Sequence, residues 1–301
     1  MKILVTGSTG FVGSNIKDIL NSEHDYIFVS SRDYNLENID EFSSMIKDIQ
    51  PNKIIHLAAY SGGIKANINF PADFYQRNLF LINNLYLALK NTNNIVENTI
   101  VTIGGCSYPN SKDLLYEKEI WNGFPQKDSA PYSIAKKTAI VASDAYKKQY
   151  GINSQIVIPA NIFGKFDNFN LETSHVIPAL IKKFLSNNKK IIIWGNGKPI
   201  RDFIYASDLA RNLIKIVEGN YNFDVLNISS GKGVSINQVV KKIAKITKFK
   251  GMIEFDTTKP NGQIKKIFSN KLMKELGLSL ETSINKALTE TIDWYKKYTD
   301  D

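Results

Sequence analysis

The chain has 301 residues, enough for one large core or two smaller ones, and its hydrophobic content of 43% is ordinary for a globular protein. Its formal charge of +9 comes from lysines spread through helices and loops, with no basic arm or long stripe, so nucleic acid is not an expected partner. A single cysteine excludes an internal disulfide framework, and one cysteine with three scattered histidines leaves no expected metal site. With no long apolar run and no charged-then-apolar leader, the expectation is a cytoplasmic chain without a membrane segment.

Lys2 to Thr6 is a short apolar run suited to a buried parallel strand, and Gly7, Gly10 and Gly13 follow it at intervals of three. Helical periodicity then runs through Phe11, Val12, Ile16, Ile19 and Leu20. A strand, a tight glycine turn and a helix N-terminus make an anion site, because free N–H groups and the positive helix end converge on one spot. Gly7, Thr9, Gly10, Phe11, Val12 and Gly13 are therefore expected to hold a dinucleotide pyrophosphate. The spacing has one residue more between the first two glycines than G-x-G-x-x-G.

Tyr26 to Ser31 reads as a second strand, ending in Ser30-Ser31-Arg32-Asp33. An acidic residue there suits the ribose hydroxyls of NAD, whereas small polar and basic residues suit the 2′-phosphate of NADP. Ser31 and Arg32, the latter with its planar fork of donors, favour NADP; Asp33 pulls the other way, and Asn35 and Leu36 complete the expected rim. A helix from about Glu37 to Asp48 leads to a third apolar strand, Lys53 to Ala59, whose end at Leu57, Ala58 and Ala59 can approach a cofactor. His56 within it is expected as a packed, hydrogen-bonded residue. Ala72 to Leu89 has helical periodicity and Thr99 to Ile103 makes a fourth strand. This alternation predicts an α/β fold with a doubly wound parallel Rossmann sheet.

The fourth strand runs into Ile103-Gly104-Gly105-Cys106-Ser107-Tyr108-Pro109, at the crevice where such sheets bind ligands. After an irregular stretch, Ser129 can cap a helix running to about Tyr150, in which Tyr132 and Lys136 share one face. An ammonium beside a phenol favours the phenolate. Such a tyrosine can exchange a proton with a carbonyl or hydroxyl while hydride moves to or from nicotinamide.

With these residues in place, the chain resembles the extended short-chain dehydrogenase/reductases, and within them the GDP-L-fucose synthase branch, over nearly its whole length. The segments that carry the resemblance include His56-Leu57-Ala58-Ala59, Gly62-Gly63-Ile64-Lys65-Ala66-Asn67, Cys106 with Tyr108-Pro109, Pro159-Ala160-Asn161-Ile162-Phe163-Gly164, Ser174-His175-Val176-Ile177-Pro178 and Trp194-Gly195-Asn196-Gly197 with Arg201-Asp202-Phe203. The resemblance implies NADPH-dependent reduction at C4 of a GDP-4-keto sugar, a 6-deoxyhexose or a heptose, with 3,5-epimerisation either coupled to it or left to a separate enzyme. It makes Tyr132 the proton donor, Lys136 its electrostatic partner and ribose ligand, and Cys106 and His175 the epimerisation pair. Ile103, Gly104, Pro159, Asn161, Ile162 and His175 would line the cofactor, and Cys106, Ser107, Asn161, Lys183, Trp194, Arg201 and Lys266 the substrate.

The same resemblance implies a cofactor domain over 1–162 plus about 204–230, a smaller substrate domain over about 163–203 plus 231–301, and a homodimer formed through the helices near Ala72 to Leu89 and Ser129 to Tyr150. One departure stands out: where relatives carry a serine or threonine hydroxyl for the C4 oxygen, four residues before the strand-end tyrosine, this chain has Gly104. Two other classes remain open from the residues alone: a nucleotide-sugar 4-epimerase that retains NAD, and a non-catalytic dinucleotide-binding protein.

Overall fold

The apolar runs of the first half become the strands of one sheet, buried because helices cover both of its faces. A computed structural model describes residues 1–92, 96–111, 114–186, 188–259 and 261–300. The chain begins β1 (Lys2–Thr6), α1 (Phe11–Ile19), β2 (Asp25–Val29), α2 (Ile39–Ile49), β3 (Lys53–His56), α3 (Ile64–Asn69), α4 (Pro71–Asn91) and β4 (Asn98–Thr102). It continues through the two-residue β5 (Leu114–Leu115), α5 (Ala130–Tyr150), β6 (Ser154–Pro159), β7 (Asn161–Phe163), α6 (Val176–Leu185) and β8 (Lys190–Trp194). The last third holds β9 (Ile200–Arg201), β10 (Phe203–Tyr205), α7 (Ala206–Glu218), β11 (Val225–Ile228), β12 (Val234–Ser235), α8 (Ile236–Thr247), β13 (Met252–Asp256), β14 (Lys265–Phe268), α9 (Lys271–Glu275) and α10 (Ile284–Asp300).

Six strands form an all-parallel sheet in the order β11-β6-β4-β3-β1-β2. Helix α1 packs on α7, while α2, α4 and α5 pack side by side in a second row. Right-handed crossovers place α1 on one face of the sheet and α2, α4 and α5 on the other, and α7, on the β6-to-β11 connection, joins α1 by the opposite hand. Strand order reverses between β1 and β3, so the carboxyl ends of β1, β3 and β4 open onto the crevice in which doubly wound sheets bind ligands.

Buried side chains fall into two clusters. The larger surrounds the sheet through Ile3, Ile55, Ile100, Val157 and Leu226. The smaller gathers Phe163, Ile177, Ile181, Phe184, Ile193, Val239, Ile243 and Leu288. The stretch 231–301, expected in the second unit, contributes Phe268, Met273 and Leu278 to the first core. The reason is pairing: β14 lies between β9 and β5 in a small sheet, which returns the chain to the sheet's flank.

Helix boundaries follow the predicted periodicity, with one difference at the start of α5. Ser129 occupies the N-cap position without a capping bond. A tight turn over Lys127–Ser129 directs its hydroxyl to the Gln126 carbonyl at 3.4 Å instead. Ser235, by contrast, caps α8 in a reciprocal bond pair with Gln238. Among the described residues no helix is long and apolar enough to cross a membrane.

Candidate active site

The crevice begins at the turn between β1 and α1. Gly7 has φ +67°, and a Cβ there would lie 2.8 Å from the Ala58 backbone nitrogen. A Cβ on Gly13 would lie 2.7 Å from the Gly7 carbonyl oxygen. Only glycine lets this turn press against the end of β3. Gly10 is the N-cap of α1 and has no capping side chain, so the N–H groups of Phe11, Val12 and Gly13 stay open for an anion. Thr9 is exposed at the rim.

At the end of β2 the Asp33 carboxylate is turned back on the strand. It accepts hydrogen bonds from the Ser30 N–H and the Ser30 hydroxyl, both at 2.8 Å, and these hold its pKa below the usual carboxylate range. Ser31 and Arg32 remain exposed beside it. Asn35 is exposed and accepts from the Glu37 N–H, whereas Leu36 is buried with its carbonyl accepting from Asn84. Leu57, Ala58 and Ala59 leave the core progressively. His56 is fully buried; its Nδ1 lies 3.0 Å from the Thr6 hydroxyl, and burial, with Lys136 nearby, lowers its pKa to about 3. It is a packed neutral imidazole.

Tyr132 and Lys136 project from α5 toward the end of β4. Tyr132 packs edge-on against Phe74, with ring centroids 6.2 Å apart. Lys136 is 1% exposed and its Nζ has no hydrogen-bond partner. The expected phenolate does not form in the bare site: burial pushes the Tyr132 pKa up, Cys106 adds to it, and burial lowers Lys136 to about 8. Burial thus favours Tyr132 as a protonated donor.

The vacant Cβ position of Gly104 points at these groups, 3.0 Å from Cys106 Sγ and 3.4 Å from Tyr132 Oη. Cys106 is half-buried. Ile103 is buried behind it, and so is Pro159, whose carbonyl oxygen lies 3.0 Å from where a Gly105 Cβ would be. Ser107, expected to face substrate, is instead fully buried with its hydroxyl 3.5 Å from the Ser133 carbonyl. Asn161 donates from both its backbone and its side chain to the Asp202 carbonyl, and Ile162 next to it is half-buried.

His175 is the N-cap of α6 and makes no capping bond. Its ring keeps water-accessible surface, yet the surrounding protein holds its pKa below the ordinary histidine value, as on the wall of a cleft. The segment before it is pinned to the start of α3 by the Gly63 N–H donating to the Thr173 carbonyl at 3.0 Å and by a Lys65–Glu172 ion pair.

Across the cleft, pairing of β9 with β14 sets Arg201 directly opposite Lys266. Lys266 is 6% exposed, and burial lowers its pKa to about 8 against the opposing pull of Cys106. Arg201 donates to the Ile200 and Gln263 carbonyls. Trp194, 60% exposed, stands at the end of β8 with Lys259 5.9 Å from its ring centroid. Lys183 is tied to the Ile192 carbonyl at 2.8 Å on that same strand, rather than joining Lys266. Lys136, Cys106, Lys266 and Arg201 thus form one chain of electrostatic neighbours.

Two further residues shape the site. Asn78, fully buried in α4, accepts from the Tyr60 N–H and donates to the Tyr60 carbonyl, fixing the loop after β3. Its signal was an amide on the apolar face of a helix. Asp202, also buried, accepts from the N–H groups of Ser230, Gly231 and Phe268, and burial raises its pKa to about 6. In the sequence it stands out only within the segment Arg201-Asp202-Phe203.

The chain is similar to known proteins in sequence and in fold. A model of the NAD dependent epimerase/dehydratase family matches residues 3–229. GDP-L-fucose synthase from Dictyostelium discoideum is 34% identical over 97% of this chain and 94% of its own. GDP-L-colitose synthase from Yersinia pseudotuberculosis is 33% identical over 98% of each. The crystal structure of a GDP-L-fucose synthetase from Naegleria fowleri bound to NADP superposes with TM-score 0.91 at 30% identity, covering 99% of this chain and 93% of that one. By its glycine cradle, its Tyr132–Lys136 helix and these matches, the chain belongs to the NAD dependent epimerase/dehydratase family.

Proposed function

We propose that this chain reduces C4 of a GDP-4-keto-6-deoxyhexose with NADPH, after epimerisation at C3 and C5 in the same site, in cytoplasmic synthesis of surface-polysaccharide precursors. The observation that carries this is the meeting of Tyr132, Cys106 and the unpaired ammonium of Lys136 at the end of β4, beside the glycine cradle. The two curated relatives described above are both named as synthases of a GDP-linked sugar.

The residues fit NADPH. A cradle that any Cβ would fill, open N–H groups at α1, an orphaned buried ammonium, and exposed Ser31 and Arg32 beside a withdrawn Asp33 match its pyrophosphate, ribose and 2′-phosphate. When bound, the cofactor supplies hydride. Tyr132, held protonated by burial, gives its proton to the C4 oxygen, and Lys136 stabilises the phenolate that remains until solvent restores the proton. For epimerisation, protons next to a ketone are acidic enough for a side chain to remove. His175 is neutral and serves as acceptor on one face, with the Cys106 thiol as donor on the other. Lys266 and Arg201 suit the diphosphate, and the open face of Trp194 suits a base or sugar. We place a homodimer contact on α4 and α5, where Tyr75, Phe80 and Val141 are exposed.

The test is incubation with NADPH and a GDP-4-keto-6-deoxy sugar in deuterated water. NADPH oxidation with deuterium at C3 and C5 of the product is the expected result. Reduction without that label leaves a C4 reductase alone, and no oxidation with any GDP-4-keto sugar removes the proposal.

A further inference from the structure

The space above Gly104 is contested by two functional groups. Its nearest neighbours are Cys106 Sγ at 3.0 Å, Tyr132 Cε1 at 3.0 Å and Tyr132 Oη at 3.4 Å, so even a methyl group at position 104 would displace the thiol or the phenol. Glycine is what allows both to converge here. Their backbone is also fixed: the Ser107 N–H donates to the Gly104 carbonyl at 3.0 Å, and Gly105 is wedged between Phe268 and the Pro159 carbonyl. Two buried amino groups are electrostatic neighbours of Cys106: Lys136, whose Nζ has no hydrogen-bond partner, and Lys266, 6% exposed.

We infer that Cys106 is a catalytic residue of the reduction itself, its thiol donating a hydrogen bond to the C4 oxygen beside the proton donor Tyr132. This rests on the proposed C4 reduction and adds a role at C4 to any role at C3 or C5. As hydride forms the new C–H bond, the carbonyl π electrons move to oxygen. Tyr132 transfers its proton there, so that one O–H bond forms and another breaks, while the thiol shares its hydrogen and keeps it. Each epimerisation leaves His175 protonated and Cys106 as a thiolate; His175 then loses its proton to solvent and Cys106 gains one, which restores imidazole and thiol before the hydride arrives. Preorganised donors of this kind are worth about 10²–10³ in rate in favourable cases; S–H is a weak donor, which puts the expected effect at about tenfold to a hundredfold.

The experiment measures single-turnover NADPH oxidation and deuterium at C3 and C5 for wild type, Cys106→Ala, Cys106→Ser and Cys106→Ala with Gly104→Ser. NADPH affinity is measured for each as a check on folding. Cys106→Ala is expected to slow reduction tenfold or more. Cys106→Ser should stay within a few-fold of wild type in reduction while losing label. Gly104→Ser, placed in the space that the alanine frees, should restore reduction without restoring label. The inference is overturned if Cys106→Ala reduces at the wild-type rate, or if neither serine restores reduction although NADPH still binds. A wild-type enzyme that oxidises no NADPH is a different outcome and strikes down the proposed activity itself.

Discussion

Tyr132 and Lys136 sit one helical turn apart, and burial acts on them in opposite directions: the phenol holds its proton more tightly and the ammonium less so. That asymmetry suits a site whose task is to give a proton to oxygen. Tyr132→Phe should lower kcat by roughly 10²–10⁴-fold while NADPH affinity stays within a few-fold, because the phenol hydroxyl is lost and the ring contact with Phe74 is kept. Stopped-flow NADPH oxidation and fluorescence titration separate the two. At this scale the Tyr132–Lys136 pair and the glycines were legible, since spacing alone puts them on one face or in one turn. The orientation of Ser107 was not. Its hydroxyl turns inward because the strand leaves the sheet through a tight turn at Gly105–Ser107, and nothing in residue type announces that turn. Asp33 was misleading for a similar reason: its charge was visible, but its hydrogen bonds to Ser30 were not.

Helix α1 and the turn before it behave as one element, because Gly13 faces the Gly7 carbonyl across a gap that no Cβ fits. Gly13→Ala should weaken NADPH binding by about tenfold or more, equivalent to roughly 1.4 kcal/mol, by forcing the turn out of register with the pyrophosphate site. Isothermal titration checks this, and unchanged affinity would show that the turn relaxes freely. Long elements were readable from period: the five- and six-residue buried strands and the twenty-one-residue helices α4 and α5 each present many positions to one pattern. The two-residue strands β5, β9 and β12 have no period to read, and they form only because β14 and its neighbours hold them. Yet β9 and β14 place Arg201 beside Lys266, so part of the site depends on elements below the reach of pattern.

For the whole molecule, buried ammonium groups carry a cost that depends on pH. Lys136 and Lys266 ionise near 8 when folded, against an ordinary 10.5. Between those values the unfolded chain binds more protons, so stability rises as pH increases from about 8 and falls as pH drops back through it. Above about pH 10 the buried tyrosines reverse the trend, because Tyr108 keeps its proton only when folded. The cofactor-free protein should therefore melt on the order of a few °C higher at pH 10 than at pH 8, and Lys136→Met should remove part of that rise; calorimetry across the interval is the check. The same large core that buries these lysines is assembled from distant parts of the chain: Ile3 and Val5 in the first strand, Leu226 in β11, and Phe268, Met273 and Leu278 close to the end. A ribosome releases the glycine cradle well before the rest of this core, but the sheet gains its last edge strand only after residue 228, and its flank is sealed only when the stretch around Leu278 emerges. The cofactor half consequently cannot complete its fold until the stretch around Leu278 has been made, and the nascent chain must keep its apolar strands from pairing elsewhere until then.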